Sequence, residues 1–144
     1  MKAAEIIRLA REIVGTPYLH QARIGGLAVD CAGVPAYVGT KLGVDFNDFT
    51  QYGRQPVPAE MKKALDGALI RVPSVAQMQL ADVVWIRFEE EPQHLGILGD
   101  HPRGGFTLIH AFNGMGFKKV VEHGLDEKWR KRIHGVWRYP GVEL

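Results

Sequence analysis

Hydrophobic positions in the first fourteen residues recur with the period of an amphipathic helix. The apolar residues follow one another at spacings of three, one, three, three and one, and they are Ala3, Ile6, Ile7, Ala10, Ile13 and Val14. Charged residues stand between them, so one face is apolar and the opposite face is charged. This pattern predicts a surface helix packed on a core, which ends at the Gly-Thr-Pro sequence of residues 15–17.

The rest of the first half predicts two further helices. Residues 16–29 predict a loop, and Asp30 is a favourable N-cap for a helix that reaches about Leu42. A polar stretch from 43 to 58 follows, and residues 59–67 predict a third helix.

Short β-prone runs separated by turn signals replace the helical pattern in the second half. The runs are Val83–Phe88, Leu95–Leu98, Phe106–Phe112, Lys118–Val121 and Ile133–Tyr139. One short helix is predicted over residues 125–131. Helices first and an antiparallel meander afterwards predict an α+β fold with N-terminal helices packed on an antiparallel sheet. No repeat or linker interrupts the pattern, so residues 1–144 are expected to form a single domain.

Composition narrows the classes of function. The chain has 144 residues, 46% of them hydrophobic, which is enough for a core without disulfide staples. The net charge of +2 comes from mixed acidic and basic residues without a basic stripe, so no nucleic-acid partner is expected. No apolar run reaches the length of a membrane span. Charges interrupt the segment 1–14, so we expect a protein made in the cytoplasm without a signal peptide.

The single cysteine, Cys31, follows the predicted N-cap Asp30. In the first turn of a helix, unpaired N–H groups and the helix dipole favour a thiolate, which is a nucleophile able to attack a carbonyl. A small buried hydrophobic residue is the other interpretation, since free cysteines often serve that purpose. Position alone does not decide between the two.

A cysteine nucleophile needs a base, and two of the six histidines lie on predicted strands. Adjacent antiparallel strands would bring His94 and His110 side by side, one as the base and the other orienting it. The other four histidines are predicted to lie on the solvated surface, and they are His20, His101, His123 and His134. Zinc binding is the competing use of cysteine and histidine. The wide spacing of the candidates, and the absence of paired ligand motifs, make a metal site the weaker hypothesis, and no cofactor is expected.

Five short motifs occur in an order and spacing that resemble the NlpC/P60 family of papain-like cysteine peptidases, which cut peptidoglycan stem peptides. They are Gly15-Thr16-Pro17-Tyr18, Val29-Asp30-Cys31-Ala32-Gly33-Val34, Ala81-Asp82-Val83-Val84, His94-Leu95-Gly96-Ile97 and Ile109-His110-Ala111. The resemblance covers roughly residues 3 to 140. The stretch from Val121 to Ile133 resembles the prophage branch of the family, whose members accompany tail proteins.

The resemblance implies a role for each matching residue. Cys31 matches the nucleophile, His94 the general base and His110 the third residue that orients the base. Tyr18 matches a tyrosine that borders the site and assists the oxyanion hole. Asp30 matches a position that contributes to substrate recognition in some members, although its N-cap role explains it equally well.

Two positions depart from the family pattern. Ala32 replaces the usual serine, whose hydroxyl in some members helps to hold the free amine of the stem peptide. A requirement for an N-terminal L-Ala is therefore less secure. Pro35 lies where a helix capped by Asp30 would need a backbone N–H, so we expect either a kinked first turn or a later helix start.

The implied function is a cysteine endopeptidase that hydrolyses peptidoglycan stem peptides at a bond of the γ-D-glutamyl–diaminopimelate type. A phage or prophage origin would associate it with the virion tail, with tail proteins as partners and the cell wall as its place of action. Two alternatives stay open. One is a Cys-His amidase or acyltransferase on the same fold, and the other is a non-catalytic tail-assembly component.

Overall fold

A computed structural model describes most of the chain. The described residues are 2–17, 23–24, 28–29, 33–44, 58–88, 91–114 and 117–143. The helices are α1 (Ala3–Glu12), α2 (Gly33–Leu42), α3 (Pro58–Ala68) and α4 (Glu127–Arg130), with a 3₁₀ turn at Val75–Gln77. The strands are β1 (Arg23–Ile24), β2 (Ala28–Val29), β3 (Ile70–Val72), β4 (Val83–Phe88), β5 (Glu91–Asp100), β6 (Phe106–Gly114), β7 (Phe117–Gly124) and β8 (Ile133–Arg138).

Within this described part, one antiparallel sheet has the strand order β3-β8-β4-β5-β6-β7. The four strands β4 to β7 form the predicted meander, whereas β8 returns across the sheet to pair with β4. A separate short ladder pairs β1 with β2 inside the segment that the sequence predicted as loop. The α+β class is thus confirmed, although β1 and β2 precede α2 and α3 in the chain.

Each face of the sheet carries its own hydrophobic cluster. The first lies under α1 and α2, and its members from the sheet include Val83, Ile97 and Ile109. The second lies on the opposite face and includes Val84 and Leu108, with side chains from the 3₁₀ turn and α4 packed against it. Successive strand residues point to opposite faces, which is why neighbours such as Val83 and Val84 join different clusters. The sheet is therefore the central layer of the molecule.

Helix α1 follows its predicted apolar pattern except at its end. Ile6 and Ala10 are fully buried, and Leu9 is buried as well, although the predicted face omitted it. Val14, predicted to be on that face, is 43% exposed. The helix ends at Glu12, and the turn that follows takes Gly15 to a φ of 95°. Beyond the helix the 3.6-residue period no longer fixes where a side chain points.

Helix α2 is tied to the end of the sheet through Tyr139. The buried hydroxyl of Tyr139 donates a hydrogen bond of 2.7 Å to the carbonyl oxygen of Pro35, and burial raises the pKa of this tyrosine well above its ordinary value. The described helix begins at Gly33, so Pro35 lies in its first turn. Backbone N–H groups there have no acceptor within the helix, and a proline is tolerated. The expectation of a kinked first turn or a later helix start also concerns residues 30–32, which lie outside the described residues, and it stays a prediction.

Candidate active site

Two histidines on neighbouring strands form the centre of the site. In the register of β5 and β6, Gly96 pairs with His110, and His94 lies two residues before Gly96 on the same face of its strand. A Cβ atom at Gly96 would stand 2.6 Å from the Cδ1 atom of Leu108 and 3.2 Å from the Cβ atom of His110. Glycine at this position therefore leaves room for the side chains of Leu108 and His110 on β6.

The two imidazoles are buried and bonded to each other. His94 is 5% exposed and His110 is fully buried. The Nε2 atom of His94 lies 2.5 Å from the Nδ1 atom of His110, and the rings meet edge to face with centroids 4.7 Å apart. This confirms the expectation that adjacent strands bring the two side chains together.

Burial also sets the charge state of the pair. Removal from water lowers the pKa of His94 to about 3, with the nearby imidazole of His123 as a second cause. Removal from water likewise lowers the pKa of His110, to which His94 and His123 contribute. Both rings are therefore neutral near neutral pH, and each has one nitrogen that donates and one that accepts. A neutral imidazole is the form that can act as a general base.

His123 extends the pair and is half-buried, so the prediction that it lies on the solvated surface is wrong in part. It belongs to β7, and its Nε2 atom lies 2.8 Å from the Nε2 atom of His110. Its Nδ1 atom lies 3.0 Å from the carbonyl oxygen of Gly124. The predicted strand Lys118–Val121 ended before His123, whereas β7 extends to Gly124. The register that brings His123 towards β6 is a long-range property. By contrast, His134 is exposed as predicted.

An indole covers this end of the histidine cluster. The ring of Trp129 on α4 lies with its centroid 5.2 Å from that of His110 and 5.0 Å from that of His123. Asp126 caps the helix, because its carboxylate accepts a hydrogen bond of 2.9 Å from the backbone N–H of Trp129. The capped helix holds the indole against the imidazoles.

The remaining predicted site residues, Cys31, Tyr18 and Asp30, lie outside the described residues. Ala32 and His20 do so too. In the chain, Cys31 stands between the end of β2 at Val29 and the start of α2 at Gly33. The roles of these side chains stay predictions from the sequence.

A buried ion pair fixes the start of β4, the strand that pairs with β5. Asp82 is fully buried, and its two carboxylate oxygens accept hydrogen bonds of 2.7 and 2.8 Å from the guanidinium of Arg138. The same carboxylate accepts a bond of 2.7 Å from the backbone N–H of Gln79. Such a paired arrangement satisfies the buried charge. It holds the ends of β4 and β8 together.

No group of three or more histidine, cysteine, aspartate or glutamate side chains is arranged to hold a metal ion in the part of the chain that the structure describes. None of the helices described is long and apolar enough to cross a membrane.

Comparison with solved structures identifies the fold. The chain superimposes on the NlpC/p60 domain of the peptidoglycan hydrolase SagA with a TM-score of 0.66 and 22% identity, covering 95% of this chain and 98% of that one. NlpC1 from Trichomonas vaginalis gives a TM-score of 0.67 at 14% identity, over 95% of this chain and 44% of that one. An NLP/P60-family protein similar to lipoprotein, from Staphylococcus aureus subsp. aureus Mu50, gives a TM-score of 0.63 at 16% identity. The match covers 99% of this chain and 42% of that one.

No family model and no curated protein matches the chain. The structural likeness nevertheless shows that the chain has the α+β fold of NlpC/P60 domains, as the sequence motifs predicted. It spans nearly the whole of the SagA domain and less than half of the two longer proteins.

Proposed function

We propose that this protein is a cysteine peptidase that hydrolyses stem peptides of peptidoglycan. The observation that carries the proposal is the buried, hydrogen-bonded pair of His94 and His110 on adjacent strands. An apolar side chain would fill either position at lower cost, because a buried imidazole must be desolvated and given a partner. In a fold shared with a peptidoglycan hydrolase, these residues have the spacing of a base and its orienting partner.

In the proposed mechanism, neutral His94 accepts the proton of the Cys31 thiol as the sulfur attacks the carbonyl carbon of the scissile amide. The carbonyl oxygen becomes an oxyanion, which the backbone N–H of Cys31 and the hydroxyl of Tyr18 stabilise. His94 then gives its proton to the amide nitrogen, the C–N bond breaks and the amine leaves. The acyl group remains on Cys31 as a thioester.

Deacylation returns the enzyme to its starting state. His94 accepts a proton from a water molecule, whose oxygen attacks the thioester carbonyl, and the proton then passes to the sulfur as the C–S bond breaks. His110 orients His94 throughout and stabilises its charged form. Replacement of His94 by alanine should therefore lower the rate more than replacement of His110, because His110 does not exchange protons with the substrate.

The proposed bond joins γ-D-glutamate to diaminopimelate or to a lysine-type residue. The support for peptidoglycan is the sequence resemblance together with the fold shared with the peptidoglycan hydrolase SagA. Asp30 is the proposed contact for the polar end of the stem peptide. Because Ala32 lacks a hydroxyl, the proposal includes no requirement for a free N-terminal L-Ala.

We also propose that the protein comes from a phage or prophage and acts at the cell wall in association with tail proteins. The support is the resemblance of residues 121–133 to the prophage branch of the family. Co-purification of the protein with tail particles would test this assignment, and its absence from them would contradict it.

Mass spectrometry of defined muropeptides tests the reaction. Wild type should cleave on the carboxyl side of γ-D-glutamate, and Cys31→Ala should fold normally but leave the muropeptides intact. Undiminished cleavage by Cys31→Ala would contradict the cysteine mechanism. Absence of cleavage by wild type, with a thiol that iodoacetamide alkylates slowly, would favour a non-catalytic tail component.

A further inference from the structure

A third histidine, His123, continues the hydrogen-bonded pair to a fixed backbone acceptor. Three consecutive contacts connect His94 to the carbonyl oxygen of Gly124 through His110 and His123. The distances along this chain are 2.5, 2.8 and 3.0 Å. Each is within hydrogen-bonding range, so one proton must lie between each pair of atoms.

The carbonyl oxygen of Gly124, at one end of this chain, constrains the donor and acceptor roles in the three hydrogen bonds. A carbonyl oxygen only accepts, so the Nδ1 atom of His123 must carry a proton and donate it. In a neutral imidazole the other nitrogen then has a lone pair. When His123 is neutral, its Nε2 atom therefore accepts from the Nε2–H group of His110. The Nδ1 atom of His110 in turn accepts from the Nε2–H group of His94.

This order leaves the lone pair of His94 on Nδ1. We propose that His123 is a positioning residue that sets the tautomers of His110 and His94, so that Nδ1 of His94 is the nitrogen able to accept a proton. The proposal rests on the proposed function, because the tautomer matters for catalysis only if His94 is the general base. The residue acts through the other two histidines.

The surroundings of His123 suit this task. The indole of Trp129 packs against both His110 and His123. The bonded carbonyl belongs to the next residue in the chain, Gly124, so a short stretch of β7 supplies both the imidazole and its acceptor. This acceptor belongs to the last residue of β7, which pairs with Thr107 on β6.

Without a hydrogen-bond acceptor at position 123, the bond between His110 and His94 can run in the opposite direction. The Nδ1–H form of His110 can donate to Nε2 of His94, and a proton then occupies Nδ1 of His94. That form of His94 cannot take a proton from a thiol through Nδ1. When the group that orients a catalytic histidine is altered, the histidine can adopt the wrong tautomer, and the reaction rate then falls by a large factor.

Two substitutions separate positioning from packing. His123→Gln keeps a side-chain oxygen that can accept from His110, whereas His123→Leu fills similar space without an acceptor. His134→Leu, which removes an exposed histidine on β8, is the control for loss of an imidazole in general. The tautomers are read from the nitrogen resonances of ¹⁵N-histidine-labelled protein at about pH 7, where both buried rings are neutral.

We expect the Nε2–H tautomer of His94 in wild type, in His123→Gln and in the control. In His123→Leu we expect the Nδ1–H tautomer to appear, and kcat for muropeptide cleavage to fall about tenfold or more, with KM changed by less than about twofold. Unchanged tautomers or an unchanged kcat in His123→Leu would overturn the proposal. If wild type cleaves no muropeptide, the proposed function fails, and the tautomer comparison still decides whether His123 sets the order of the bonds.

Discussion

The buried histidine pair should make the stability of the fold depend on pH just below the ordinary histidine pKa, above the range where carboxylates mainly titrate. Both His94 and His110 have a pKa in the folded state below the ordinary histidine value of 6.5. Below that pH the unfolded chain binds more protons than the folded chain, so the free energy of unfolding falls as the pH falls. Above it, both states carry neutral imidazoles and the dependence disappears.

The size of the stability loss follows from the difference in proton binding between the unfolded and the folded chain. At about pH 5 an unfolded histidine with a pKa of about 6.5 is mostly protonated, while the buried ring is still neutral. Each pH unit in this range costs about 1.4 kcal/mol per histidine. Allowing for the gradual onset near the unfolded pKa, we expect about 2 kcal/mol for each ring, or about 4 kcal/mol for both, between about pH 7 and pH 5. This is a large part of the stability of an ordinary domain.

Urea unfolding followed by tryptophan fluorescence at the two pH values measures this loss. In His94→Gln, only His110 remains as a buried titrating ring of the pair, so the pH-dependent loss should fall to about half, or about 2 kcal/mol. His134→Gln, at an exposed position, is the matched control and should keep the dependence of wild type. A stability that does not change from pH 7 to pH 5, or an equal loss in wild type and His94→Gln, would refute the reasoning.

Three further substitutions test the packing that positions the site. Gly96→Ala places a methyl group 3.2 Å from the Cβ atom of His110. This substitution should lower the free energy of unfolding in urea by about 1–3 kcal/mol and slow muropeptide hydrolysis. Unchanged stability and rate would contradict the close approach. Asp82→Asn breaks a buried ion pair whose partner, Arg138, is 28% exposed. We therefore expect the free energy of unfolding to fall by about 3 kcal/mol, the lower end of the range for buried pairs. A loss under about 1 kcal/mol would show that the pair is dispensable. Tyr139→Phe removes one buried hydrogen bond and should cost about 1–2 kcal/mol by the same assay, whereas a neutral effect would mean that water replaces the hydroxyl.

The sequence predicted those helices and strands whose hydrophobic pattern is continuous over several residues. The run Val83–Phe88 coincides with β4, and the predicted helix at 59–67 differs from α3 by a single residue at each end. The strand β3 was missed because it is three residues long and lies at the edge of the sheet, where Ile70 is 57% exposed. A short, half-exposed edge strand lacks the alternating pattern that identifies longer ones.

The candidate site was predictable to the extent that it depends on neighbouring strands. Consecutive antiparallel strands made the meeting of His94 and His110 an expectation, and the structure confirms it. The part played by His123 depends on the register between β6 and β7, and a shift of one residue would turn its side chain to the other face. No local signal in the sequence fixes that register. The roles of Cys31 and Tyr18 rest on the sequence resemblance alone.

The central claim is that Cys31 is a nucleophile activated by His94 towards a stem peptide. It is tested most directly with an L-Ala-γ-D-Glu peptide that carries an acyloxymethyl ketone in place of the scissile bond, followed by peptide mapping of the labelled protein. We expect one adduct on Cys31 in wild type, formed much more slowly in His94→Ala and suppressed by excess muropeptide. Labelling at another residue, or labelling of Cys31 at the same rate when His94 is replaced, would contradict the account.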